Sequence, residues 1–180
     1  MLLYQNQVSI DFANKVVQVA KNLSVNPNWL MAVINFETAG TFSPSITNSL
    51  GYTGLIQFGA AAAKEMGTTT DALRAMTAIR QLDYVEKYYK IWYKRLGITK
   101  PDSFVDMYLI TFFPAAVNKP LDYVIKSATI SAERLAKANP VFDLDKNKQI
   151  TVAEIQKVMV KRIPSEFAEM FLKKKTSLSV

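Results

Sequence analysis

The sequence predicts an all-α protein, and three features of the chain indicate this class. Glycine and proline are scarce, with 6 and 7 residues among 180, and long stretches consist of the helix-favouring residues Ala, Leu, Lys, Met and Gln. Apolar residues recur at the spacing of one helix face in several segments. No segment shows a convincing alternation of apolar and polar residues, which is the pattern of a half-buried strand.

The first two helices and the loop after them follow from apolar spacing and capping residues. Asn26 before Pro27 is typical of an N-cap followed by proline at the first helical position, and this second helix runs to about Phe36 or Glu37. Residues 38–54 are predicted to form a loop because glycine, proline, serine, threonine and asparagine dominate there. The first helix, which precedes Asn26, is predicted from a set of apolar residues at helical spacing, namely Val8, Phe12, Val16, Val19, Ala20 and Leu23.

The rest of the chain is predicted to contain further helices separated by breaks. A long helix is expected from about residue 72 to 96, capped by Thr70 or Asp71 and ended by Gly97. Its aromatic residues could line a groove, but aromatics at helical spacing lie in a core more often. The other predicted helices span about residues 60–66, 101–113, 131–138 and 152–161.

Composition excludes several chemistries. The chain has no histidine and no cysteine, so a Ser-His-Asp triad, a Cys-His peptidase and a His-ligated zinc centre are impossible. The net charge of +7 suits nucleic acid, an anionic membrane, an anionic wall polymer or simple solubility. The charge is spread along the chain apart from the run Lys173 to Lys175. No nucleic-acid partner is expected, because no zinc-finger, RNP or Walker signature accompanies the charge.

Neither an export signal nor a membrane span is expected. Residues 1–6 lack the basic start and the long apolar run of a signal peptide. The most apolar window, residues 104–117, contains Asp106 and Pro114 and is too short to cross a bilayer.

Glu37 is the acidic residue whose position in the sequence favours a catalytic role. Glu37 closes the apolar run of residues 29–36 and precedes a polar loop, and the glycine-punctuated segment Gly51 to Phe58 follows. A carboxyl group packed against apolar side chains loses water, which raises its pKa. Such a group stays protonated near neutral pH and can donate its proton to a glycosidic oxygen. The alternative is an ordinary exposed glutamate at a helix end.

The order FETAGTFSPSITNSLGYTGLIQF at residues 36–58 resembles the lytic transglycosylase and goose-type lysozyme superfamily. That family carries a catalytic glutamate at a helix end, often an F-x-P element, a G-x-x-G-L-M-Q-like segment and later a helix containing a tyrosine. The matches here are Glu37, Phe42 to Pro44, Gly51 to Phe58, and Met107 to Ala116 with Tyr108. The likeness covers roughly residues 10–125 and is closest to phage-encoded members. The family's usual Tyr-Asn-Ala-Gly is absent, since Leu109 follows Tyr108.

The resemblance implies a lysozyme-like fold and an enzyme that cleaves the β-1,4 bond between N-acetylmuramic acid and N-acetylglucosamine. Glu37 would be the catalytic acid, and Tyr108 would hydrogen-bond Glu37 or the substrate's N-acetyl group. The other residues expected to hold the glycan are Gln57, the backbone at Gly54 and Leu55, and the groove residues Ser43, Thr47 and Asn48.

The number of carboxylates distinguishes two reactions. No Asp or Glu lies between Glu37 and Glu65, whereas hydrolysis requires a second carboxylate. A single carboxyl suits a lytic transglycosylase, which forms a 1,6-anhydro-muramyl end without consuming water. Hydrolysis stays open, because other carboxylates can approach Glu37 in the fold, namely Asp83, Glu86, Asp102 and Asp106.

A second site is predicted near the C-terminus. Residues 143–154 fit the twelve-residue EF-hand calcium loop, with Lys148 at the position where glycine is usual. A non-glycine residue in a left-handed conformation there costs about 1 kcal/mol. The alternative is a capping box at Thr151 and Glu154 together with metal-free turn chemistry. The expected ligands of a structural calcium ion are Asp143, Asp145, Asn147, the backbone carbonyl of Gln149, and Glu154.

The predicted organisation is a lysozyme-like catalytic domain at residues 1–130 and an EF-hand-like helical segment at residues 131–180 packed on it. The expected partners are peptidoglycan glycan strands and, for a virion component, other phage particle proteins; no membrane partner is expected. The expected setting is phage lysis or entry, with the chain made in the host cytoplasm and acting on the cell wall. The alternative function is a non-catalytic, calcium-stabilised module that binds glycan or assembles into a phage particle.

Overall fold

The computed structural model describes residues 1–172, so the lysine run at 173–175 lies outside the described residues. The chain divides into two compact units, Met1–Lys100 and Pro101–Val180. The domain boundary predicted at residue 130 falls inside the second unit. The all-α prediction is confirmed, because strand pairing in the described part of the chain is limited to isolated bridges between single residues.

The first unit follows the predicted order of helices with one exception. Its second helix begins as predicted, with the Asn26 side chain accepting the N–H of Asn28 at 2.9 Å and Pro27 in the first turn. After a 3-10 turn at Gln5–Gln7, the helices are α1 (Ile10–Asn22), α2 (Pro27–Glu37), α3 (Ala60–Glu65), α4 (Thr70–Ala75) and α5 (Ala78–Leu96).

The single long helix predicted for residues 72–96 is wrong, because α4 and α5 are separate helices. Met76 between them is extended, with ψ at 154°. The Thr77 hydroxyl then accepts the N–H of Arg80 at 3.3 Å and starts α5. Side-chain capping of this kind satisfies orphan donors at a helix start, so it competes with continuing the previous helix.

Helix α2 is held along its length by the core of the first unit. It packs against α1, which also packs against α5. Leu30, Met31, Val33 and Ile34 of α2 are completely buried. Burial of side chains this large contributes about 1.5–3 kcal/mol each, so the axis of the helix that ends at Glu37 is firmly fixed.

Helices α1 and α5 are also joined by charged residues at their surface. Lys15 pairs with Asp83 at 2.6 Å, and Asn22 donates to the Glu86 carboxylate at 3.0 Å. Burial raises the pKa of Glu86, but hydrogen bonds from Lys90 and Asn22 outweigh burial. The positive charges of Lys90 and Lys15 act in the same direction, and the net pKa lies below the ordinary value of 4.5.

Glu86 therefore makes stability depend on pH. A carboxylate whose pKa is lowered by folding stabilises the protein above its unfolded pKa, and this contribution is lost as pH falls through its folded pKa. We expect Glu86→Gln to lower the free energy of unfolding by about 0.2–1 kcal/mol at pH 7. Urea unfolding at pH 7 and at pH 3 measures the effect. A deficit that stays the same size at pH 3 would contradict this assignment.

The second unit contains three α-helices among the residues that the structure describes. The first of them, α6 (Phe104–Phe112), packs against the last, α8 (Val152–Val160). The buried Asp106 of α6 accepts the N–H of Asn118 at 2.9 Å and the hydroxyl proton of Ser103. The helices are α6 (Phe104–Phe112), α7 (Ala132–Ala138) and α8 (Val152–Val160), with 3-10 turns at Pro114–Ala116 and Ser165–Phe171. Within residues 1–172, no helix has both the length and the apolarity required to cross a bilayer.

Candidate functional site

Glu37 is the last residue of α2, as the sequence predicts, and its side chain is half-buried. The chain turns sharply after it because the buried Thr38 organises the next residues. The Thr38 hydroxyl donates to the carbonyl of Ile34 at 2.7 Å and accepts the N–H of Phe42 at 3.0 Å. The glutamate is thus held between a buried helix and a hydrogen-bonded turn.

Tyr88 of α5 lies within the electrostatic reach of Glu37. Burial raises the pKa of Tyr88 to about 12; a hydrogen bond with Trp92 opposes this shift, and the negative charge of Glu37 adds to it. The Tyr88 ring meets Phe58 edge to face, with centroids 6.1 Å apart. Tyr88 is therefore a protonated phenol at neutral pH. Sequence analysis did not single it out, because it belongs to a run of aromatics of which Tyr89 and Tyr93 are core residues.

The loop after Glu37 is ordered by side-chain pairs instead of by strands. Thr53 is buried and bridges to both Thr47 and Phe58. The hydroxyls of Thr47 and Thr53 are 2.9 Å apart. This arrangement folds residue Thr47 of the polar loop against the Gly51 to Phe58 segment.

The predicted groove residues Ser43 and Asn48 shape this loop. The Asn48 side-chain oxygen accepts the N–H groups of Leu50 at 2.9 Å and Tyr52 at 3.1 Å. The hydroxyl of Ser43 is 3.1 Å from that of Ser45. Thr47 and Asn48 are exposed to solvent, and Ser43 is half-buried.

Gln57 and the Gly54–Leu55 segment are brought together as one unit. The carbonyl of Gly54 accepts both the N–H and the side-chain Nε2 of Gln57 at 3.1 Å. The N–H of Gly54 donates to Ile46 at 2.8 Å, and that of Leu55 donates to Gln81 at 2.7 Å. The backbone donors of Gly54 and Leu55 are thus used inside the protein, whereas the half-buried Gln57 stands at the end of the segment.

Gln81 is a residue of this region that sequence analysis missed. It is completely buried on α5, and its side chain bonds two loop segments, at Pro44 and Leu55, and Leu73 of helix α4. A glutamine beside Leu82 and one turn before Val85 lies on the buried face of the helix. The signal in the sequence that could have identified Gln81 is a polar residue at a core position of the helix.

Gly54 is the position at which the loop depends most on the absence of a side chain. Its φ is +81°, and a Cβ there would lie 2.3 Å from the Gln81 Oε1. Gly51 has a similar φ of +83° but no atom within 4 Å of such a Cβ. The two glycines therefore form a matched pair, in which the backbone strain is shared and the steric clash is not.

We expect Gly54→Ala to destabilise the protein more than Gly51→Ala does. The shared left-handed conformation costs about 1–2 kcal/mol in each variant. The clash with Gln81 adds about 1–3 kcal/mol in Gly54→Ala alone. Chemical denaturation of both variants measures the difference, and equal losses of stability would show that the Gln81 contact is unimportant.

Tyr108 lies in the second unit, on α6, and is buried. Its ring stacks on Phe112 at 5.7 Å with an interplanar angle of 11°, and Phe142 lies 6.0 Å away. Phe142 immediately precedes Asp143 in the chain. The predicted tyrosine therefore belongs to an aromatic cluster that reaches the start of the acidic loop.

Three carboxylates of the acidic loop converge. Oxygens of Asp143, Asp145 and Glu154 lie within 4.8 Å of one another and can hold a metal ion. The Oδ1 of Asp143 is buried and has no hydrogen-bond partner. A buried acceptor without a donor is costly, so this atom fits the place of a metal ligand.

The loop backbone also fits a cation site. Lys148 has φ at +66°, the left-handed conformation predicted for that position, and its N–H donates to the Asp143 Oδ2 at 3.1 Å. Asn147 donates through its side chain to Asp145 at 2.9 Å and accepts the N–H of Gln149 at 2.8 Å. The predicted flanking helices are present as α7 and α8.

The capping box that the sequence offers as the alternative is also present. The Thr151 hydroxyl accepts the N–H of Glu154, and the Glu154 carboxylate accepts the N–H of Thr151 at 2.9 Å. The other carboxylate oxygen of Glu154 accepts the N–H of Leu144 at 3.0 Å. Glu154 thus joins the two ends of the loop.

These features define an all-α protein with a half-buried glutamate at a helix end and an acidic loop that can hold a metal ion. No protein-family model, no curated protein and no solved structure matches the chain.

Proposed function

We propose that the chain is a peptidoglycan-cleaving glycosidase with a lysozyme-like fold, in which Glu37 is the catalytic acid. The observation that supports this most is the placement of Glu37. It ends a helix whose residues 30–34 are all buried, it is itself half-buried, and a tightly hydrogen-bonded loop rich in hydroxyl and amide groups follows it. A carboxyl group in such surroundings is suited to proton transfer.

The reaction is a lytic transglycosylation of the bond between N-acetylmuramic acid and N-acetylglucosamine. The Glu37 carboxyl gives its proton to the glycosidic oxygen as the C1–O bond breaks, and the substrate's own N-acetyl group assists. The muramyl 6-hydroxyl oxygen then bonds to C1, and its proton returns to Glu37. The products are a 1,6-anhydro-muramyl end and a free 4-hydroxyl on N-acetylglucosamine, and no water is consumed.

The surroundings of four other carboxylates favour a single-carboxyl mechanism over hydrolysis. Asp83 is paired with Lys15, Glu86 with Lys90, and Glu65 with Arg95. Asp106 accepts hydrogen bonds from Ser103 and Asn118 within the second unit. A hydrolase requires a second carboxylate that is free to activate water or to attack the sugar.

The glycan is held by side chains of the loop after Glu37. Gln57 is oriented by the carbonyl of Gly54, and the exposed groups of Thr47 and Asn48 offer hydrogen bonds to sugar hydroxyls. Ser43, which is half-buried in the same loop, is the remaining residue assigned to the glycan.

The acidic loop is an EF-hand-like calcium site in this proposal. Calcium prefers carboxylate and carbonyl oxygens, and it would neutralise the three converging carboxylates and satisfy the unpaired Asp143 Oδ1. The residues that would hold it are Asp143, Asp145, Asn147, Gln149 through its carbonyl, and Glu154.

The proposed setting is phage lysis or entry, with peptidoglycan glycan strands as the partner and other virion proteins for a particle-bound form. The net charge of +7 favours approach to an anionic wall. Release of soluble fragments from purified peptidoglycan tests the activity. The rival function is a non-catalytic glycan-binding or assembly module, which Leu109 in place of the family's asparagine supports; it would bind the polymer and leave it intact.

A further inference from the structure

We propose that Gln81 is a positioning residue for the glycan-binding loop, and this inference rests on the glycosidase function proposed above. The side chain of Gln81 is completely buried on α5. Its Oε1 accepts the N–H of Leu55 at 2.7 Å, and its Nε2 donates to the carbonyls of Pro44 at 2.9 Å and Leu73 at 2.8 Å. Burying an amide is costly unless its groups are paired, and this pairing fixes all three partners.

The first two partners belong to the two motif segments that follow Glu37. Pro44 lies in the Phe42 to Pro44 element, and Leu55 lies in the Gly51 to Phe58 element. One amide group therefore sets the separation between the two segments. The anchor is α5, a 19-residue helix whose neighbouring residues Leu82 and Val85 are themselves completely buried.

The link from Gln81 to Gln57 passes through a single peptide group. The Leu55 N–H that Gln81 accepts and the Gly54 carbonyl that holds Gln57 belong to the same planar unit. A rotation of that plane would move both contacts together. The amide of Gln81 thus helps to set the direction of the Gln57 side chain, together with the Ile46 carbonyl, which accepts the Gln57 Nε2 at 3.4 Å.

The contact between Gln81 and the loop also depends on the glycine at position 54. A Cβ at Gly54 would lie within 2.3–2.8 Å of three atoms of the Gln81 amide. The close approach of Gln81 therefore requires glycine at this position in addition to the positive φ. This pairs a motif residue with a helix residue that lies 27 positions further along the chain.

The test is Gln81→Met, which keeps the length of the side chain and removes the amide. We expect amide exchange at Leu55 to accelerate by about tenfold or more, while exchange in α2 changes little. We expect kcat/KM on a glycan substrate, per folded molecule, to fall by about 10–100-fold, since small displacements of a binding group are costly in rate. The matched control is Leu82→Ala, which removes buried volume from the next position on the same helix and no hydrogen bond to the loop. It should stay within about threefold of wild type per folded molecule.

Two results would overturn the inference. One is Leu55 exchange in Gln81→Met that matches wild type. The other is a loss of kcat/KM per folded molecule that is no larger than in Leu82→Ala, because that is what a merely structural residue gives. A wild-type chain without glycosidase activity would instead remove the proposed function. In that case the exchange rate at Leu55 still decides whether Gln81 holds the loop.

Discussion

Glu37→Gln is expected to reduce glycosidase turnover by about 10³-fold or more, because general acid–base catalysis by one group contributes about 10²–10⁴-fold and no other group of this site is assigned the proton transfer. The amide is nearly isosteric with the acid, but its N–H protons are not acidic enough to be transferred to a glycosidic oxygen. The fold should be unchanged, since the buried face of α2 ends before this side chain. Initial rates on purified peptidoglycan, with circular dichroism as the check on folding, measure the effect.

The matched control for this prediction is Glu65→Gln. Glu65 is a glutamate of the same unit near the end of α3, and it is paired with Arg95 at the surface. Both Glu37 and Glu65 act electrostatically on Tyr88, so the pair separates catalysis from a general change in local charge. Glu65→Gln should keep activity within about threefold of wild type. A Glu37→Gln variant with a tenth of wild-type activity would show that Glu37 is not the acid.

Calcium at 1 mM is expected to stabilise the wild-type chain by about 2.7 kcal/mol if its dissociation constant is near 10 µM. For a chain of this size, that gain raises the melting temperature by about 5–11 °C. The physical reason is the repulsion among three carboxylates within 4.8 Å of one another, together with the unpaired Asp143 Oδ1. Thermal unfolding in calcium and in a chelator measures the shift.

Asp143→Asn is expected to change stability in opposite directions without and with calcium. Without metal, the variant loses one of three repelling charges, so it should be as stable as wild type or more stable. With calcium it should lose most of the shift and become the less stable protein. Glu154 is unsuitable for this test because it also forms the capping box and bonds Leu144. An equal response of wild type and Asp143→Asn to calcium would exclude a cation site at this loop.

Capping residues and apolar spacing predicted most helices, because the ends of these helices are determined by residues close in sequence. Asn26 with Pro27 caps α2 in the structure as the sequence indicates. The break between α4 and α5 was missed because no glycine or proline marks it. Thr77 starts α5 through its own hydroxyl, and a threonine within an apolar-periodic segment carries no clear boundary signal.

The site was predicted less completely, because part of it depends on contacts between residues that are far apart in the sequence. The position of Glu37 at a helix end could be predicted from the apolar run before it. The roles of Gln81 and Tyr88 depend on contacts with loop residues more than 25 positions away, which periodicity on α5 does not encode. The local turn role of Asn48 also depends on the loop conformation, since its side chain bonds Leu50 and Tyr52.

The central claim is that Glu37 acts alone as acid and then as base, and product analysis tests it most directly. Purified peptidoglycan is digested in water enriched in ¹⁸O, and the fragments are read by mass spectrometry. The claim predicts 1,6-anhydro-muramyl ends that carry no ¹⁸O and are lighter by one water than hydrolysis products. Reducing ends that carry ¹⁸O would contradict it, and so would polymer that is bound but left intact.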